Sequence, residues 1–201
     1  MINTLIIYSH PSKKSYTFQV LEQLTQILNN QNFKVEVSDL YAMNFLSDMT
    51  EQEYEREGFA NIQLPIPKDV IEEHKKIGEA DCIIFLYPVW WSDCPAKLKG
   101  WFDRVFSVGY AYGQRPELPK MKTVKCGAVI CTAGHPNNFL KEIGIEQSMQ
   151  NIMLDDRLGK RFENKDMLIL GGTLDIENVR QTHIKQIERL VNKINQYFAD
   201  A

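Results

Sequence analysis

Three short segments hold the residues whose types and spacing could do chemistry. The first is Ser9-His10-Pro11-Ser12-Lys13-Lys14-Ser15-Tyr16-Thr17. It has neither G-x-G-x-x-G nor G-x-x-x-x-G-K-[ST], so neither common nucleotide loop is present. Ser15 and Thr17 nevertheless put hydroxyls at a helix start, where unpaired amides form a positive pole, and His10 can donate from its ring. That set suits a diphosphate; Ser15 as a plain N-cap beside a surface His10 is the alternative. The second segment, Tyr87-Pro88-Val89-Trp90-Trp91-Ser92-Asp93-Cys94-Pro95, sets two indoles at the exit of an apolar run. Adjacent side chains of an extended chain diverge, so one indole must leave the core. The pair can wall a planar ligand while the backbone after Pro88 reads its polar edge, or both can pack inside or at a subunit contact. The third segment is Cys131-Thr132-Ala133-Gly134-His135-Pro136. Its small residues let backbone amides approach a ligand closely, unless it is simply a strand-to-helix turn. His135 has no spaced metal-ligand partner.

The elements that must position these segments follow from periodicity. Apolar runs at Leu5–Tyr8, Cys82–Leu86, Val124–Cys131 and Met167–Leu170 read as strands, and the alternating Phe33–Val37 reads as a strand nearer a sheet edge. Helical spacing covers Ser15–Asn30, Val70–Ile77, Pro95–Phe106, Phe139–Met153 and a final segment through Ile184 and Ile194, with a short helix over Glu51–Glu57. A charged stretch fills Asp155–Lys165. Strands alternating with helices predict an α/β, doubly wound, five-stranded parallel sheet of flavodoxin-like order 2-1-3-4-5, with helices on both faces. In such sheets ligands bind beyond the carboxyl ends of the strands where the order reverses. The loops starting at Ser9, Tyr87 and Thr132 meet there. A planar ring carrying a phosphate satisfies all three, and a flavin nucleotide is the natural candidate.

Composition bounds the rest. The 201 residues are 44% hydrophobic and 24% charged, with net charge −3. This excludes wholesale disorder, and the absence of a basic tract argues against nucleic acid as partner. At roughly 150 residues per domain the length allows one large domain, read here as residues 1–201. No apolar run approaches the roughly 20 residues of a membrane span. The N-terminus shows no export signal. The four cysteines have no C-x-x-C spacing, which agrees with buried thiols in a cytoplasmic protein.

The segments also resemble a known family. Ser9-His10-Pro11 with Ser15, Asp39-Leu40-Tyr41-Ala42-Met43-Asn44-Phe45, Tyr87-Pro88-Val89-Trp90-Trp91, Lys99-Gly100-Trp101-Phe102-Asp103-Arg104-Val105-Phe106 and Gly109-Tyr110-Ala111-Tyr112 are similar to the flavodoxin-like NAD(P)H:quinone oxidoreductases. Bacterial NADPH-quinone reductases and ancillary reductases of potassium-efflux systems look related. The match covers about residues 1–135 and weakens from Phe139. The resemblance implies that His10, Ser15, Tyr16 and Thr17 hold the phosphates of FAD, or alternatively FMN. It implies that Pro88, Val89, Trp90 and Trp91 lie along the isoalloxazine, and that Thr132, Ala133 and Gly134 face its pyrimidine side. Phe139 and Tyr112 fall around the nicotinamide and quinone pocket, and Tyr112 carries the catalytic assignment through its hydroxyl.

The implied activity is ping-pong hydride transfer from NADH or NADPH through the flavin to a quinone or similar planar acceptor, in a homodimer. Cys131 and Ala133 depart from the family's third loop, and Phe139 and Glu146 stand where some members carry Tyr and His. Lys13, Lys14, Arg157, Lys160 and Arg161 are candidates for a nicotinamide 2′-phosphate or plain solvated surface. The alternatives are an accessory subunit that regulates a transporter with little turnover, and a one-electron carrier.

Overall fold

The computed structural model of the chain describes residues 1–113, 116, 118 and 120–199. Its strands are β1 (Ile2–Tyr8), β2 (Phe33–Asp39), β3 (Cys82–Pro88), β4 (Val124–Thr132) and β5 (Phe162–Leu170). All pair in parallel, in the order β2-β1-β3-β4-β5. The expected order is therefore observed, and it follows from burial. β1, β3 and β4 are apolar on both faces because helices cover both. With a side-chain period of two, Leu5, Ile7, Phe85, Tyr87, Val129 and Cys131 enter one core. Ile6, Tyr8, Ile84, Leu86, Ala128 and Ile130 enter the other.

Helices α1 (Tyr16–Asn30) and α7 (Ile176–Ala199) pack on the second core; α3 (Lys68–Glu79) and α4 (Ala96–Val105) pack on the first. The capping box of α2 (Glu51–Gly58) explains why so polar a segment is helical: Thr50 accepts from the Glu53 N–H while Glu53 accepts from the Thr50 N–H. All four thiols are free and buried.

Two segments differ from expectation. The helix expected over Phe139–Met153 is broken into α5 (Asn137–Glu142) and α6 (Ile145–Gln150), which runs on as a π-helical segment, Asn151–Leu158. The break sits at Gly144, whose φ of +78° is left-handed and suits glycine. The last strand begins at Phe162, not Met167. Its polar first half is an edge whose side chains find lateral partners. The Asn164 amide donates to the Lys125 carbonyl over 3.0 Å, and Asp166 takes Lys193 and the Tyr197 hydroxyl of α7. No described helix is long and apolar enough to cross a membrane.

His10, His74 and His183 are all held below the ordinary imidazole pKa, with burial as the largest cause. The unfolded chain, with imidazoles near 6.5, therefore binds more protons than the folded one as pH falls below that value. Stability contributed by these groups is full above about pH 6.5 and lost on acidification. The urea midpoint should fall between pH 7.5 and 5.5, and His183→Gln should flatten that slope. An unchanged midpoint would contradict it.

Candidate functional site

The three loops leave β1, β3 and β4 at one end of the sheet, and three contacts tie them pairwise. The His10 ring meets the edge of Trp90 at 5.9 Å between centroids, joining the first loop to the second. The Thr17 and Thr132 hydroxyls share a buried hydrogen bond of 2.8 Å, joining the first to the third. The Val89 N–H donates to the Thr132 carbonyl over 2.8 Å, joining the second to the third. The second and third loops also line a shared cleft of about 250 Å³ through Val89, Trp91, Ser92, Ala133, Gly134 and His135, with Leu140 and Ile145. A larger apolar cavity of about 490 Å³ lies against α3 between Ile71, His74 and Tyr110. None of the three loops lines it, so size alone does not choose the site.

In the first loop Ser15 is the N-cap of α1: its Oγ accepts from the Phe18 N–H over 3.0 Å, leaving its own O–H to donate. The Tyr16 and Thr17 N–H groups, at the first two helical positions, have no acceptor among the described residues. His10 Nδ1 accepts from the Ser12 N–H over 3.0 Å, so the neutral ring carries its proton on Nε2. Burial keeps that ring neutral by lowering its pKa. The loop thus presents amides, a hydroxyl and a ring N–H, with the Lys13 and Lys14 side chains exposed on it. Thr17 is buried with its hydroxyl committed to Thr132. Tyr16 turns its ring away from the loop toward α7. His183 Nε2 donates to the Gly171 carbonyl at 3.1 Å, so its Nδ1 accepts from the Tyr16 hydroxyl at 2.9 Å. The Arg180 guanidinium lies 5.8 Å from the Tyr16 ring centre.

The second loop is a tight turn closed by reciprocal backbone bonds, Trp90 N–H to Asp93 at 2.9 Å and Asp93 N–H to Trp90 at 3.2 Å. Trp91 and Ser92 have φ of +51° and +63°. Neither is a glycine, so each left-handed residue costs about 1–2 kcal/mol that the surroundings must offset. Trp90 is 42% exposed and Trp91 is fully exposed, at 101%. Neither indole is tucked inside; the buried tryptophan is Trp101. Pro88 is buried at the last position of β3, so the exposed wall is made by Val89, Trp90 and Trp91.

In the third loop the Ala133 N–H is spent on the Leu170 carbonyl at 3.0 Å, whereas those of Gly134 and His135 have no acceptor among the described residues. The expected set of free amides therefore shifts one or two residues along. Thr132 and Ala133 are buried supports. Phe139 is 40% exposed and its ring sits 4.7 Å from that of His135, beside the cleft. Tyr112 is elsewhere. α4 starts beside the rim at Pro95 and its ten residues run about 15 Å back along the sheet, so the loop carrying Tyr112 follows its far end. The Tyr112 hydroxyl donates to Glu57 over 3.1 Å, and burial together with that carboxylate pushes its pKa up to about 12.

Sequence reasoning gave Asp93 no role and gave Arg157 a different one. Arg157 is 9% exposed, neither solvated surface nor open to a 2′-phosphate. Its guanidinium grips Asp93 with two bonds of 2.8 and 2.9 Å and lies 5.2 Å from the Phe102 ring centre. Arg161 stacks likewise on Phe106 and caps the Asp156 and Arg157 carbonyls. The charged stretch is thus the packing partner of α4. Cation–aromatic pairs across about 55 residues leave no local pattern to read.

An open doubly wound sheet with three loops knotted at the switch point defines a flavodoxin-type architecture. The model of a family described as having a flavodoxin-like fold matches residues 2–171, and the chain belongs to that family. The resemblance seen in the motifs is borne out by its relatives. A solved structure of an NAD(P)H:quinone oxidoreductase from Methanothermobacter marburgensis is 43% identical and superposes with a TM-score of 0.86 over 94% of each chain. An uncharacterized NAD(P)H oxidoreductase of Haemophilus influenzae is 35% identical over 159 residues, 77% of this chain and 75% of that one. NAD(P)H dehydrogenase (quinone) 1 of Cavia porcellus is 38% identical over 121 residues, but the match spans only 44% of that protein's length.

Proposed function

We propose that this protein is a flavin-dependent NAD(P)H oxidoreductase that passes hydride from NAD(P)H to quinones or similar planar acceptors. The observation that carries it is the knotting of a phosphate-type turn, an exposed indole wall and an amide edge at one rim. Relatives named for this activity, aligned along most of the chain, support it. The residues fit a flavin. The Tyr16 and Thr17 amides, the Ser15 hydroxyl and the His10 Nε2–H would hold its phosphate. Val89, Trp90 and Trp91 would cover one face of the ring and exclude water. The Gly134 and His135 N–H groups would meet its oxygen-bearing edge as fixed dipoles. When bound, the flavin supplies the two-electron chemistry. NAD(P)H and acceptor would use the open face beside Phe139 in turn, which gives parallel double-reciprocal plots.

The direct test is colour. The purified protein should be yellow or take up FAD or FMN, bleach anaerobically on adding NADPH or NADH, and recover its colour with a soluble naphthoquinone. A protein that takes up neither flavin overturns the reading. Uptake without bleaching would instead favour an accessory role.

FAD over FMN is favoured by a second cleft, also about 250 Å³, between α1 and α7, lined by Tyr16, Gln19, Arg180 and Ile184 among others. It adjoins the phosphate turn through Tyr16. An aromatic ring, a guanidinium and an aliphatic side chain together suit a flat heterocycle such as adenine. Arg180→Ala should weaken FAD about tenfold and leave FMN unchanged, read by flavin fluorescence titration; losing one stacked cationic contact is worth about 1–2 kcal/mol. Equal loss for both flavins would remove this argument for FAD.

Tyr112 cannot serve the rim of its own chain, so its catalytic role requires a second copy, and the reading includes a homodimer. A monomer by analytical ultracentrifugation at assay concentration would exclude that role. The cytoplasm, a reducing compartment, suits four free buried thiols; recovery from a periplasmic or extracellular fraction would contradict it.

A further inference from the structure

The Trp90–Trp91 turn holds a conformation its own residues do not favour. Two successive left-handed residues are normally Asn-Gly or similar, not Trp-Ser. Trp91, fully exposed, has no packing of its own to hold it there. What fixes the turn lies below it. Asp93 Oδ1 accepts from the Cys94 N–H over 2.7 Å, and both Asp93 oxygens meet the Arg157 fork. This is the one ion pair made by residues 88–95 among the described residues. Arg157 is itself clamped: its Nη1 lies 3.1 Å from Met153 Sδ and 3.4 Å from Cys94 Sγ, and its plane rests on Phe102. Burial opposes the charge on Asp93, yet the Arg157 hydrogen bonds and the Cys94 N–H hold its carboxyl below the usual range. The element that delivers Arg157 is the π-helical segment, a rare geometry that recurs at functional sites.

We propose that Arg157 is a positioning residue that holds the Trp90–Trp91 turn in its left-handed form through Asp93 and thereby sets how tightly the rim binds flavin. The proposal rests on the flavin reading for its second half only. Arg157 touches neither indole; it acts through a planar two-bond grip that lysine cannot reproduce.

The test uses Arg157→Met, Arg157→Lys, and each combined with Ser92→Gly. Glycine favours positive φ, so Ser92→Gly makes the turn self-supporting. By loosening the wall, Arg157→Met should weaken FAD binding by about tenfold, one decade in Kd. Arg157→Lys should lie between it and the parent, and Ser92→Gly should restore most of the loss in both. A lost structural contact alone would not be rescued at a site it does not touch. The flavin-free protein supplies a second readout. The indole N–H signal of Trp90, assigned with Trp90→Phe, should shift and broaden on losing Arg157 and return with Ser92→Gly. Unchanged FAD affinity and an unmoved indole signal in Arg157→Met, or losses that Ser92→Gly does not repair, would overturn the proposal. If Arg157→Met does not fold, Arg157→Lys carries the same criteria. If the parent binds no flavin, that reading fails while the indole signal still decides the role of Arg157.

Discussion

Arg104→Met should lower the stability of the protein by about 3–5 kcal/mol, the usual cost of removing one partner from a buried ion pair. Arg104 is 4% exposed on α4. Its Nε donates to buried Glu53 over 2.7 Å, its two Nη atoms take Asp69 at 2.6 and 3.1 Å, and Nη1 also reaches the Leu46 carbonyl at 2.7 Å. The guanidinium lies 5.0 Å from the Phe45 ring centre. One side chain therefore joins α4 to α3, to α2 and to the irregular chain before it. Methionine fills similar volume but leaves Glu53 charged, buried and without its cation. At about 2–4 °C per kcal/mol for a chain of this size, the melting midpoint should fall by about 6–20 °C. Lys99→Met is the control, because the Lys99–Asp103 pair is half exposed and such pairs contribute about 0–1 kcal/mol. A midpoint within about 2 °C of the parent for Arg104→Met would show that Glu53 and Asp69 find other partners.

Trp90→Ala should do the opposite, sparing the fold and removing binding. With 42% of its surface exposed and its ring packed edgewise with His10, Trp90 contributes less to the flavin-free chain than a core side chain does. Its loss should cost the flavin-free fold about 1 kcal/mol, the centre of the range for point substitutions. Facing a bound ring, it becomes a central aromatic contact whose truncation costs about 2 kcal/mol or more, roughly thirtyfold in Kd. Its loss also frees His10, so the phosphate turn should loosen with the wall. Fluorescence titration of FAD checks the affinity and calorimetry of the flavin-free protein checks the fold. Equal FAD affinity for variant and parent would remove Trp90 from the wall. A large drop in midpoint would make it structural instead.

The division between what was legible in the sequence and what was not follows from the range of the forces. Leu5–Tyr8, Cys82–Leu86 and Val124–Cys131 announced central strands because burial on both faces demands continuous apolar side chains, a rule each run obeys by itself. With alternating helices those runs imply the sheet order, and the order brings the loops at Ser9, Tyr87 and Thr132 together. The start of β5 was hidden because an edge strand can be polar when neighbours satisfy it, and those neighbours lie on α7 and at Leu154. The left-handed break at Gly144 interrupts a helical period that continues on both sides of it.

Within the site, residue types and their convergence on one rim came from sequence and topology. The direction of each side chain came only from the tertiary structure. Thr17 spends its hydroxyl on Thr132, 115 residues away; Tyr16 gives its own to His183; Arg157 leaves a charged surface segment to hold Asp93. Hydropathy periods record which face of an element is buried, because water sorts side chains one at a time. Hydrogen bonds and ion pairs require two particular groups within about 3 Å, and which pair meets is settled only when distant elements pack.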